Sequence, residues 1–330
     1  MYRLFTGLYL HMKLRTLLIL FALLAIGSLF VGVKDLRPWE MFSWTAEQQQ
    51  VFWISRIPRL ISIIIAGACM SIAGLIMQQL SRNKFVSPTT AGTIEWTRLG
   101  ILVSMMLFAA AAPLVKMSIA FVFALGGTFL FMQVLNRIKF KDTVFIPLVG
   151  LMLGNVVSSI ATYFAYRYDL VQNISSWLQG NFSLVLQGRY ELLYISVPLV
   201  IIAYIYANRF TLAGMGEDFA TNLGLNYKRV VTLGLIIVSL ISASVVLTVG
   251  SIPYLGLIIP NIVSIYRGDH LKKSLMHTAL LGASFVLLCD VLGRIIIYPY
   301  EIPIGVMVGV IGSGIFLYLL LRRDAYAASS

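Results

Sequence analysis

Acidic residues are scarce in this chain: Asp and Glu number 13 in 330 residues, against 25 Lys and Arg. Charged residues make up 12% and hydrophobic ones 59%, whereas a soluble domain is about 25% charged. Such a composition excludes an ordinary soluble domain and fits a polytopic membrane protein. Cysteine is nearly absent. Cys69 and Cys289 both lie inside apolar runs, which excludes a disulfide framework and a zinc pattern. His11, His270 and His277 show no metal-ligand spacing, so no metal site is expected. No Walker-type loop is present, so the chain cannot use ATP by itself. No polar cluster looks catalytic, and neither an enzyme nor a cofactor is expected. The net charge of +12 would suit nucleic acid only if the bases shared one face. They sit instead in small groups between apolar runs, as membrane topology places them.

What is present is a series of apolar stretches, each near the roughly 20 residues needed to cross a bilayer. Clear ones lie near 14–33, 58–80, 118–136, 143–166, 190–208, 230–250, 274–297 and 303–321. Two more are short or interrupted: 99–115, ended by Pro113, and 251–266, which carries Pro253, Gly256 and Pro260. Interrupted segments are tolerated where neighbours or a water-filled cavity satisfy the freed backbone groups. Counting both gives ten spans in one transmembrane domain over residues 1–330, all-α, with both termini cytoplasmic by the distribution of Lys and Arg. The first run follows Lys13 and Arg15 but lacks a small-x-small cleavage site, so it is read as a span.

The longest stretch of the second half that cannot cross a membrane is GMGEDFATNLGLNYKR, residues 214–229. Met215, Phe219 and Leu223 recur every four residues and share one helical face. Glu217 and Asp218 suit the first turn, and Gly224 suits a left-handed C-cap. A short capped helix with an apolar face could plug a groove on a soluble partner. A surface helix that binds nothing fits the spacing equally well.

Small residues recur at four-residue spacing in two spans: Gly150, Gly154 and Ser158, then Gly305, Gly309 and Ser313. Such faces allow close helix approach, within one subunit or between two. Asp290 and Arg294 have ion-pair spacing and are read as a neutralised pair rather than a proton relay. Glu95 and Arg98 flank a short span. Arg56 and Arg59 bracket Pro58 at the outer mouth of the second span, and Arg294 would emerge on the same side. They could receive carboxylates from an extracytoplasmic partner or contact lipid headgroups. A faint echo, AGLI at 73–76 and LGLI at 255–258, is too short to establish a repeat.

Together these segments resemble the iron-siderophore and cobalamin permeases of type II ABC importers. The resemblance rests on RIPRLISIIIAGACMSIAGLIMQ at 56–78, GEDFATNLGLNYKRV at 216–230, VGSIPYLGLIIPNIVSIYRGDH at 249–270 and DVLGRIIIYPYEIPIGVMVGVIGSGIFLYLL at 290–320. It implies a permease subunit moving ferric siderophore across the plasma membrane, multi-pass in the bilayer. Its implied partners are two ABC ATPases, an extracytoplasmic substrate-binding protein and a second permease, a paralogue in preference to an identical copy. It assigns ATPase coupling to Gly216, Glu217, Phe219, Ala220, Leu223 and Gly224, with Phe219, Ala220 and Leu223 as the contact face. It assigns binding-protein docking to Arg56, Arg59 and Arg294, and the cytoplasmic gate to Asn83, Phe85, Asp142 and Thr143. The glycine–serine faces become dimer or pathway helices, and WLQG at 177–180 resembles the outer helix after the fifth span. The loop NKFVSPTTAGTIEWTRLG at 83–100 departs from the family's common Asn-Pro-Leu-Ala-x-Pro-Gly and looks like the catecholate (petrobactin and anguibactin) branch. The alternative of another class is a secondary, ion-coupled transporter of a small solute.

Overall fold

The computed structural model describes residues 14–32, 39, 43–137, 145–185 and 190–327. It is helical throughout. Among the described residues the only strand-like pairing is one isolated bridge between Gln179 and Ser251. In chain order the helices are α1 (Leu14–Phe30), α2 (Ala46–Val51), α3 (Ile57–Leu80), α4 (Thr93–Leu107), α5 (Pro113–Arg137), α6 (Phe145–Arg167) and α7 (Val171–Leu178). They continue with α8 (Ser196–Gly214), α9 (Glu217–Asn222), α10 (Tyr227–Val249), α11 (Leu255–Arg267), α12 (Leu271–Ile295) and α13 (Ile304–Ala327). Among the described residues, six segments are long and apolar enough to cross a membrane: α3 with its lead-in, α5, α6, α8 with the turn before it, α10 and α12.

Helix α3 is the axis of the molecule. A π-helical turn, Phe52–Arg56, carries the chain from α2 into it, and Pro58 stands in its first turn, where a missing N–H costs nothing. Its small residues face its neighbours, so backbones rather than side chains set the spacing. A Cβ on Gly67 would lie 2.9 Å from Ala283 Cα on α12, and one on Gly74 would lie 1.9 Å from Gly256 O on α11. The two echoing tetrapeptides therefore pack directly on each other. Gly74→Ala is expected to cost more than about 3 kcal/mol, because carbonyl and Cβ cannot share that space. A lowered thermal midpoint in detergent checks it, and an unchanged midpoint contradicts it.

The most extensive pairing in the fold is between α3 and α12, which run antiparallel. Beside Pro260, side-chain amides tie α11 to the end of α3 and the residues after it. Gln78 Nε2 and Asn261 Nδ2 donate to Leu257 O at 3.1 and 2.8 Å, and Asn261 also reaches Lys84 O at 2.8 Å.

One boundary differs from the sequence reading. The short span expected at 99–115 is helical from Thr93 to Leu107, and Pro113 opens the next helix instead of closing this one. Proline suits the first helical position, where its lost donor was unpaired anyway. The earlier start draws Glu95, Trp96 and Arg98 into α4.

Candidate functional site

At the end of α3 where Arg59 lies, five charged side chains of the described residues converge, from the π-helical turn, α3, α12 and the segment before α13. Arg59 donates to Asp290 Oδ1 through Nη2 at 2.8 Å, and to Glu301 through Nη1 at 2.8 and 3.1 Å. Arg294, one turn beyond Asp290, donates to Asp290 Oδ2 at 2.5 Å and to Ser28 Oγ at 2.6 Å. Its Nη1 reaches the Ser28 carbonyl in the last turn of α1 and the Val31 carbonyl just past it, at 2.9 and 2.7 Å. Asp290 thus divides its two oxygens between two arginines, and the pairing expected from the i,i+4 spacing is present. Arg56 differs from the other two. Its Nη1 donates to Val31 O at 2.5 Å, its Nε has no partner, and it makes no ion pair among the described residues. All three arginines are buried, 8% exposed for Arg56 and Arg59 and 3% for Arg294. The sequence reading had them presented outward. For Arg59 and Arg294 the cause is the carboxylates of Asp290 and Glu301, the second of which the sequence does not reveal. Arg56 is turned in toward the Val31 carbonyl.

At the opposite end of the same helix pair a second ion tie forms. Lys84, just past α3, pairs with Asp269, just before α12, and donates to Ser264 Oγ at 2.5 Å; Ser264 also bonds Asp269. Partial burial pushes the Asp269 carboxyl up, but the Lys84 and Ser264 hydrogen bonds and the Lys84 charge outweigh it and hold its pKa below the usual value. The tie is therefore complete at neutral pH and opens only as acid passes the lowered pKa. Beside it lies a cavity of about 200 Å³ lined by Gln78, Gln79, Arg82, Asn83, Ser264 and Asp269, among others. Asn83 Oδ1 accepts from the Phe85 N–H at 2.9 Å. The Phe85 ring meets Phe316 of α13 edge-on, with centroids 6.1 Å apart. Two gate residues of the sequence reading, Asn83 and Phe85, thus share one loop, while Asp142 and Thr143 lie outside the described residues.

Near this end stands α9. Gly216 caps its start and Gly224, at φ +78°, its finish. The Leu225 N–H bonds to Ala220 O at 3.0 Å and the Gly224 N–H to Thr221 O at 2.9 Å, the paired Schellman bonds that a left-handed glycine permits. Glu217 and Asp218 occupy the first turn. Met215, Phe219 and Leu223 are exposed by 56%, 45% and 59%. Phe219 lies within α9 and Leu223 is its C-cap, whereas Met215 closes α8 ahead of the non-helical Gly216. The single helical face read from the sequence therefore holds for Phe219 and Leu223 and not for Met215. Ala220 is a correction: it is fully buried beneath the helix, so it anchors α9 rather than belonging to the contact face.

A match to the FecCD transport family covers residues 17–322. This chain belongs to that family. It is 71% identical to the petrobactin import system permease protein YclN of Bacillus subtilis (strain 168), across 96% of this chain and all of that one. It is 39% identical to the ferric-anguibactin transport system permease protein FatD of Vibrio anguillarum, over 94% and 99% of the two chains. Among solved structures, an inward-facing metal-chelate type ABC transporter superposes with a TM-score of 0.84 at 25% identity, over 94% and 98% of the two chains. As a FecCD member the chain is a multi-pass membrane permease, a transport component rather than an enzyme.

The glycine–serine faces of this FecCD chain are occupied from within, which redirects the interface reading. Gly92 meets the Gly150 carbonyl and Gly154; Glu95 lies against Gly154; Arg98 Nη1 reaches Ser158 Oγ at 3.5 Å. In α13, Gly305 N donates to Gly180 O at 3.1 Å and Gly309 sits against Pro253. Ser313 Oγ is turned back to Val310 O at 3.0 Å. The small residues make room for this chain's own segments, while the exposed side of α6 carries Leu151, Met152, Val156 and Ile160. Sequence reasoning missed Glu301 and the Lys84–Asp269 tie. Acid scarcity was the usable signal, since each carboxylate near an apolar run needs a cation.

Proposed function

We propose that this chain is the permease subunit of an ABC importer that carries ferric siderophore, of the petrobactin type, across the plasma membrane. Sequence kinship to the petrobactin and anguibactin permeases supports the substrate class. The observation that carries the mechanism is the exposure of Phe219 and Leu223 on a short helix capped at both ends, with exposed Met215 just ahead of its N-cap. The helix stands between two membrane-length helices. On this reading α9 lies in the cytoplasm and fills a groove on one of two ATPase subunits. Ten spans place both termini on that side, which also holds most of the Lys and Arg residues. A second permease, a paralogue, completes the pathway against the exposed faces of α6 and α13. Nucleotide binding biases the outward- and inward-facing states because each ligand favours one of them. Asn83, Phe85 and the unplaced Asp142 and Thr143 form the inner gate.

At the outer end the arginine cluster receives an acidic face of the substrate-binding protein. Arg56 is the informative position, since Arg59 and Arg294 also hold Asp290. Arg56→Gln is expected to weaken docking of the binding protein to the nanodisc-embedded complex by about tenfold, as for a partly desolvated charge pair. Unchanged affinity would remove the docking role.

A further inference from the structure

We propose that Glu301 is a displaceable internal stand-in for the docking partner's carboxylate, holding Arg59 until the partner's acid replaces it. This rests on the docking reading above. The two acids of the cluster are not equivalent. Asp290 is 3% exposed on its side chain, lies on the body of α12 and serves two arginines at once. Glu301 is 25% exposed, lies on the irregular segment between α12 and α13 and accepts from Arg59 alone among the described residues. The residues around it, Ile297, Tyr298 and Tyr300, are exposed, as is Trp53 from the π-helical turn. An incoming carboxylate therefore meets Arg59 through the face that Glu301 occupies.

Exchange of one carboxylate for another keeps the guanidinium fork paired throughout, so no buried charge is stranded. That resolves how a buried arginine can serve a docking surface. Among the described residues the cluster holds three guanidiniums and two carboxylates, and Arg56 makes no ion pair there, which leaves it attractive to acid.

The test measures binding of the same import system's purified substrate-binding protein to the nanodisc-embedded complex. Glu301→Gln is expected to tighten binding roughly fivefold, the upper end of what a solvent-accessible ion pair contributes. Glu47→Gln, which removes an equal charge upstream of Arg56, is expected to leave it unchanged. Glu301→Asp, one methylene shorter, gives a smaller tightening and decides the matter where Glu301→Gln lowers the thermal midpoint. Weaker or equal binding in the Glu301 variants overturns the proposal, as does equal tightening by Glu47→Gln. Loss of affinity in Arg56→Gln alongside unchanged Glu301 variants leaves the docking reading standing and removes only the exchange. Unchanged affinity in Arg56→Gln removes both.

Discussion

Phe219→Asp abolishes ATP-driven uptake while leaving the spans folded. Phe219 is the large exposed apolar side chain within α9, with exposed Leu223 at its C-cap and exposed Met215 ahead of its N-cap. An aromatic side chain in a desolvated pocket is the usual anchor of an interface, and its loss costs about 2 kcal/mol or more. The aspartate adds the penalty of bringing a carboxylate into an apolar groove, so coupling should fall by about a hundredfold or more. The helix itself should survive, because its support comes from buried Ala220 and the glycine-capped ends rather than from Phe219. Two readouts check this: siderophore uptake by reconstituted complex, and retention of the ATPase subunits on purification. Normal substrate-stimulated ATP hydrolysis with normal uptake in the variant removes α9 from the coupling role.

Asp290→Ala should be the most damaging single change to the folded chain itself. Asp290 joins Arg59 of α3 to Arg294 of α12, and both guanidiniums are buried. Without its carboxylate, among the described residues Arg294 keeps only neutral acceptors, at Ser28, Val31 and the residue-290 carbonyl, and Arg59 depends on Glu301 alone. Breaking a buried pair by removing one partner costs about 3–5 kcal/mol, since a charge is left without compensation. The double variant Asp290→Ala with Arg294→Met should recover part of the loss, because it removes a stranded cation as well. Thermal unfolding of the detergent-solubilised protein measures both; a single variant as stable as the parent contradicts the account.

Much of this was legible in the sequence because membrane residence makes composition informative. Apolar run lengths located the helices. The spacing of Phe219 and Leu223 and the position of Gly224 described α9 and its cap, and the four-residue spacing of Asp290 and Arg294 gave their pair. The illegible part was tertiary. Whether Gly150, Gly154 and Ser158 face another subunit or this chain's α4 depends on which helix arrives there, and periodicity does not carry that. Arg59 finds Glu301 across more than two hundred residues of chain, and no local pattern links them. Ala220 was misplaced for a related reason. On a helix of barely two turns, adjacent positions differ by a large rotation, and the buried side is fixed by what the helix rests on. Pro113 was read as a stop where it is a start, since both roles share the same missing donor.

The most direct test of the division of labour between this permease and a separate motor is ferric-siderophore uptake into proteoliposomes holding the purified permeases, with and without the ATPase subunits and internal or external ATP. Accumulation against a gradient should require the ATPase subunits and ATP on the face bearing α9, and should vanish when either is omitted. Accumulation by the permeases alone, driven by a proton or sodium gradient, would contradict it.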